Sequence, residues 1–200
     1  MCGRYVLYNT SSVIQKHFEL VSKIDFKARY NIAPGQNSVV IHKSENIDFF
    51  NWGFTPNWLK KPIINARFET ILTKDIFRKS LTKRRCVVPN NGWFEWKNKT
   101  PYFIRPSKDE IIGFAGIWDS YEMINKYVIL TKPSYGMIAS IHHRSPIVLR
   151  KQDYHKWLYG SIEDAMNIAD YPCEKNFQIN EVSKNINNIK NDNYKLIYSI

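Results

Sequence analysis

The chain has 200 residues, 44% hydrophobic and 14% aromatic, enough to bury roughly two thirds of its unfolded surface in one domain or a small two-lobed one without a staple. Lysine and arginine number 29 against 18 aspartates and glutamates, a net charge of +11 that makes a polyanion the first partner to consider, although lysine-rich faces are often only solvated. No run approaches the ~18 apolar residues of a membrane helix and no apolar leader core precedes Arg4, so neither a membrane span nor a signal peptide is expected.

In chain order, Ser11 or Ser12 can cap a first helix running to residue 19, with Val13, Ile14, Phe18 and Leu20 as its apolar face. After Pro34-Gly35, residues 38–42 and 47–54 read as a hairpin pair. Residues 69–83 carry Ile71, Leu72, Ile76, Phe77 and Leu81 at helical spacing. Short strands are then predicted over 86–89, 92–97, 101–104, 111–118, 126–131 and 145–149, followed by short helices over 151–159 and 161–168. The Asn- and Lys-rich tail after Ser183 ends in a possible edge strand, 194–200. Strands outnumber helices and mostly follow one another directly, which predicts an α+β fold around a curved antiparallel or barrel-like sheet.

Several segments place chemistry where a plain core would not. Cys2 directly follows Met1; if Met1 is removed, one residue carries both a free α-amine and a thiol, the 1,2-aminothiol that traps an aldehyde as a thiazolidine ring. Arg4 beside it favours the thiolate, while the plain alternative is a packed or frayed terminus. Asn65-Ala66-Arg67-Phe68-Glu69-Thr70 reads as a loop in which Glu69 or Thr70 starts a helix, leaving Asn65 and Arg67 unexplained. In Trp93-Phe94-Glu95-Trp96, alternation on a strand puts Trp93 and Glu95 on one face. Glu95 is then either solvated, or buried near aromatics with its pKa raised into the range of proton transfer.

His142-His143-Arg144 stands at a strand entrance, and adjacent histidines on extended backbone point oppositely, so one of the two can face a given site. Trp52 reads as core, whereas Trp58, between Asn57 and Lys60-Lys61, suits an exposed stacking surface. The cationic residues crowd between Lys74 and Arg85. Cys2, Cys86 and Cys173 have no metal-ligand spacing, so no metal, no other cofactor and a reduced compartment are expected.

Taken together, Met1-Cys2-Gly3-Arg4-Tyr5, Arg29-Tyr30-Asn31-Ile32-Ala33-Pro34, Trp52-Gly53-Phe54, Asn65-Ala66-Arg67 with Glu69-Thr70, Gly92 with Glu95-Trp96, Ala115-Gly116-Ile117-Trp118, and His142 with Arg144 and Pro146 resemble the SRAP family of SOS response-associated peptidases or abasic-site processing proteins. The chain is read as a single SRAP domain over 1–200, with the resemblance strongest over 1–150.

The resemblance implies a lyase-like abasic-site shield in the DNA damage response, which crosslinks Cys2 to the ring-opened aldehyde of an abasic site in single-stranded DNA. Asn65, Glu95 and His142 would complete the catalytic set. Arg4, Arg67 and Arg144 would grip phosphates, with Asn31 and Pro34 lining the cleft and Trp58, with Phe54, stacking. The alternatives are a cysteine peptidase using Cys2, limited in one version to removal of Met1, and a non-catalytic single-stranded DNA-binding module. A monomer is expected, without a membrane partner, cytoplasmic in a bacterium or nuclear in a eukaryote; a partner at the replication fork is not identified. The convergence of an exposed Cys2 with Asn65, Glu95 and His142 in one cationic groove is the geometry this reading requires.

Overall fold

The structure, a computed structural model, describes residues 2–22, 24–42, 46–108, 110–171 and 176–200. Cys173 therefore lies outside the described residues.

Its centre is a ring of five strands. β3 (Asn37–His42) and β4 (Asn46–Trp52) form the expected hairpin pair. β3 also pairs β6 (Arg85–Asn90), β6 pairs β9 (Ile112–Tyr121), and β9 pairs β10 (Ile124–Pro133). β10 closes the ring on β4. That last ladder is parallel, as is the one between β10 and the short β5 (Asn65–Arg67), so the barrel is mixed rather than purely antiparallel. Its strands carry consecutive buried apolar residues, such as Val39 to Ile41, Val87 and Val88, and Val128 to Leu130, the pattern of strands covered on both faces.

Beside the barrel lies an antiparallel sheet in the order β13 (Phe177–Glu181), β8 (Thr100–Pro106), β7 (Gly92–Lys97), β1 (Arg4–Leu7) and β2 (Arg29–Ile32). Its inner face packs on the barrel: Tyr5 meets Trp52 edge-on at 5.1 Å, Trp93 meets Phe114 at 5.6 Å, and the Tyr5 and Tyr127 hydroxyls share a hydrogen bond of 2.6 Å. Its outer face carries Val6, Phe94 and Phe103 against Val182, Ile186 and Leu196 of the tail. Gly92 opens β7 at φ 151°, where an added Cβ would meet the carbonyl of Ile104 at 2.5 Å, so only glycine lets β7 begin there.

α1 (Ser11–Phe18) has Thr10 rather than a serine at its cap position. The helix expected over 69–83 is interrupted: a 3-10 turn, Phe68–Thr70, precedes α2 (Asp75–Lys83), and extended backbone at Lys74 separates them. Glu69, read as part of that helix, is drawn instead to Arg144. The strand expected over 145–149 divides into β11 (Arg144–Pro146) on β10 and β12 (Val148–Leu149) on β9, because the chain crosses between the two at Ile147. α3 (Gly136–Ala139) precedes it; α4 (Tyr154–Tyr159) and α5 (Ile162–Asp170) follow, the latter with a Ser161–Asp164 capping box. In the tail the edge strand is absent: a 3-10 turn, Tyr194–Ile197, is followed by one bridge between Val182 and Ser199.

Candidate functional site

The topology gathers three of the chain segments around the end of β10. β5 runs along one edge of β10, with Asn65 opposite Ile129 and Arg67 opposite Thr131. β11 takes the other edge, with Pro146 opposite Thr131 and Arg144 opposite Pro133. β1 brings in the chain start, pairing Arg4 with Phe94 so that Cys2 approaches the end of β7 that carries Glu95.

The side-chain amide of Asn65 donates to the Cys2 carbonyl at 2.9 Å, and its Oδ1 is buried with no hydrogen-bond partner among the described residues. Such an orphan acceptor is costly unless something polar occupies the space before it. Glu95 is 1% exposed, on the same face as Trp93, and acts electrostatically on Cys2. Burial pushes its carboxyl up to about 7, in the range where a group both gives and takes a proton near neutrality. His142 Nδ1 lies 3.0 Å from both the backbone N–H and the backbone carbonyl of Arg144. Burial lowers the His142 pKa, so the imidazole is neutral at pH 7. The positive charge of the amino terminus bears on Cys2, Glu95 and His142 alike, opposing burial at the first two and adding to it at the third.

The thiol differs from expectation. Cys2 is fully buried, and its Sγ lies 3.8 Å from the Arg4 carbonyl. Desolvation raises its pKa well above the ordinary value, so the neutral thiol, not the thiolate, is the resting form. The Arg4 guanidinium turns to the Gly3 carbonyl, with NH1 at 2.7 Å, and the backbone hydrogen bond at Arg4 opposes burial without outweighing it. The Nε of Arg4 is buried without an acceptor among the described residues, and burial lowers its pKa.

The residues expected to meet DNA fall into two groups. Trp58, 71% exposed, and Arg67 line a groove of about 730 Å³ together with Asn65, Lys74 and Phe77. Pro34 is half-buried, just beyond the Tyr5–Ile32 pair on the side of Arg4. Arg144, by contrast, is 6% exposed and its guanidinium is occupied: it forks onto Glu69 at 2.8 Å twice, and reaches Thr131 Oγ1 at 3.2 Å and Thr131 O at 2.7 Å. Asn31 is fully buried and its Nδ2 donates to the carbonyls of Ile186, Asn188 and Asn191, so it holds the tail instead of lining a cleft. Phe54 is also fully buried, packed on Phe77 and Tyr121, and offers no stacking face. Glu69 is the member of the site that its sequence context hid, since an acid at a helix start needs no other explanation.

The family model described as SOS response associated peptidase (SRAP) matches residues 1–189. Abasic site processing protein YoaM of Bacillus subtilis (strain 168) is 29% identical over 222 residues, spanning 98% of this chain and 97% of that protein. Abasic site processing protein YedK of Escherichia coli (strain K12) is 29% identical over 222 residues, spanning all of both. A crystal structure of a protein from Bacteroides thetaiotaomicron superposes over the whole of both chains with a TM-score of 0.82 at 23% identity, a likeness of fold.

Proposed function

Because the chain belongs to the SOS response associated peptidase (SRAP) family, we propose that it processes abasic sites in DNA, using Cys2 as the group that captures the lesion. The relatives named above carry abasic-site processing in their names. The observation that carries the reading to particular atoms is the hydrogen bond from Asn65 to the Cys2 carbonyl, made beside a buried Glu95 whose carboxyl titrates near neutrality.

Removal of Met1 leaves the α-amine on Cys2, with a pKa near 8 and so a neutral fraction at physiological pH. The amine nitrogen attacks the aldehyde carbon of the ring-opened sugar, and water leaves to give the imine. The Cys2 sulfur then adds to the imine carbon; its proton passes to the nitrogen, and the thiazolidine closes without a further leaving group. Glu95 and His142 supply and accept the protons of ring opening and dehydration. Asn65 holds the terminus, and its open Oδ1 accepts from the amine or a sugar hydroxyl.

On this reading single-stranded DNA runs along the groove of Trp58 and Arg67, a base stacking on the exposed indole and phosphates meeting Arg67, with the half-buried Arg4 adding positive charge. Selectivity rests on the aldehyde, since a missing base leaves nothing to read. A peptidase role for Cys2 fits less well, because a thiol held neutral by burial is a weak nucleophile toward an amide. Matched oligonucleotides with and without one abasic site test the proposal: a denaturation-resistant adduct should form on the first alone. Equal adduct on both, or none on either, would refute it.

A further inference from the structure

We propose that Glu69 is a positioning residue of the site, fixing the imidazole of His142 through the guanidinium and backbone of Arg144. The Glu69–Arg144 fork spans the end of β10: Glu69 follows the β5 segment that carries Asn65 and Arg67, and Arg144 begins β11 on the opposite edge. Both carboxylate oxygens are engaged at 2.8 Å, and Arg144 holds the Glu69 carboxyl below the usual range, so the pair is charged at neutral pH. Thr131, on β10 itself, takes the remaining direction of the guanidinium through Oγ1 and its carbonyl. Arg144 thereby ties its own strand to two other chain segments.

The backbone of that same residue meets His142. With Nδ1 at 3.0 Å from both the N–H and the carbonyl of Arg144, the neutral ring accepts from the N–H and the protonated ring donates to the carbonyl. A proton can therefore come and go at His142 without leaving Nδ1 unpartnered, provided that the Arg144 backbone stays in place. Among the described residues, His143, stacked at 4.4 Å, and Arg144 act on the ring, and the amino-terminal charge bears on it as well; Glu69 acts at one remove. The assignment rests on the proposed function only for the use to which His142 is put.

Glu69→Gln tests it by two readouts. Without DNA, nitrogen-15 imidazole signals of His142 followed across neutral pH should show one neutral tautomer, with its proton on Nε2, in the wild type, and a mixture of both in the variant. With abasic DNA, the adduct rate should fall about tenfold while affinity for an intact oligonucleotide changes less than about threefold. If Glu69→Gln does not fold, Thr131→Val removes one acceptor of Arg144 in a nearly isosteric change and should mix the tautomers in the same direction. A lower melting temperature with the His142 signals unmoved would overturn the assignment, as would an unchanged adduct rate. Should the wild type form no adduct at all, the proposed function fails, and the imidazole signals still decide the role of Glu69.

Discussion

Asn65 reaches across 63 positions of sequence to hold the carbonyl of Cys2 at 2.9 Å. The bond fixes the second residue of the chain to a parallel strand on the closed barrel, a firm anchor for a segment that would otherwise fray. An N-terminal reagent needs such an anchor, since misplacement by about 1 Å can cost 10²-fold in rate.

Replacing Asn65 by Ala should therefore slow adduct formation by about tenfold or more, while lowering stability by only ~1 kcal/mol, the worth of one hydrogen bond. Single-turnover adduct kinetics beside a denaturant melt separate the two effects. A stability loss with unchanged kinetics would show the bond to be merely structural.

Glu95 makes stability depend on pH with a definite sign. Its carboxyl titrates at about 7 in the folded chain against an ordinary 4.5. Between those values the folded chain holds a proton that the unfolded chain has released, so this contribution is complete below 4.5 and is lost as pH rises through about 7. Glu95→Gln should raise the melting temperature by a few degrees at pH 8 and by little at pH 4, roughly as one or two kcal/mol would. The same variant should slow adduct formation by about 10²-fold or more, as loss of a general acid–base group does. A melting temperature lowered equally at both pH values would contradict the assignment.

Trp58 and Arg67 should act on binding and leave folding alone. Trp58→Ala is expected to weaken single-stranded DNA binding by roughly 5- to 100-fold, the worth of one stacked base, with stability within about 0.5 kcal/mol. Arg67→Ala should reduce the slope of log affinity against log salt by about 0.7, one phosphate contact on a single strand. Fluorescence anisotropy at several salt concentrations measures both, and an unchanged slope would remove Arg67 from the interface.

Asn31 should behave oppositely. Asn31→Ala deletes three bonds to the tail and takes this donor from the carbonyls of Ile186 and Asn191, while that of Asn188 keeps the Asn191 N–H, at a cost of about 2–4 kcal/mol. Asp192 takes part in the same latch, accepting from Arg29 and from the Asn31 N–H. A chemical-denaturation curve tests this, and DNA affinity measured well below the melting temperature should stay within about threefold of wild type.

The strands between residues 85 and 133 are legible because short apolar runs bounded by turn residues coincide with burial, and β7 has the bounds predicted for it. What escaped depends on distant partners. β1, β5 and β13 carry too few residues for a period, and each exists because another strand receives it. Asn31 and Arg144 enter as binding residues through the family resemblance, and their local sequence does not show what they meet. Their partners, the tail carbonyls and Glu69, lie more than 70 positions away. Trp58 and Arg67 lie in one groove with Asn65, but nothing in their local spacing says so.

Intact mass spectrometry of the protein after incubation with an oligonucleotide bearing one abasic site tests the capture by Cys2 most directly. The predicted product is the chain without Met1 joined to one oligonucleotide, less one water, and Cys2→Ser should leave no durable adduct. An adduct that retains Met1, or one that survives the loss of the thiol undiminished, would contradict thiazolidine formation at Cys2.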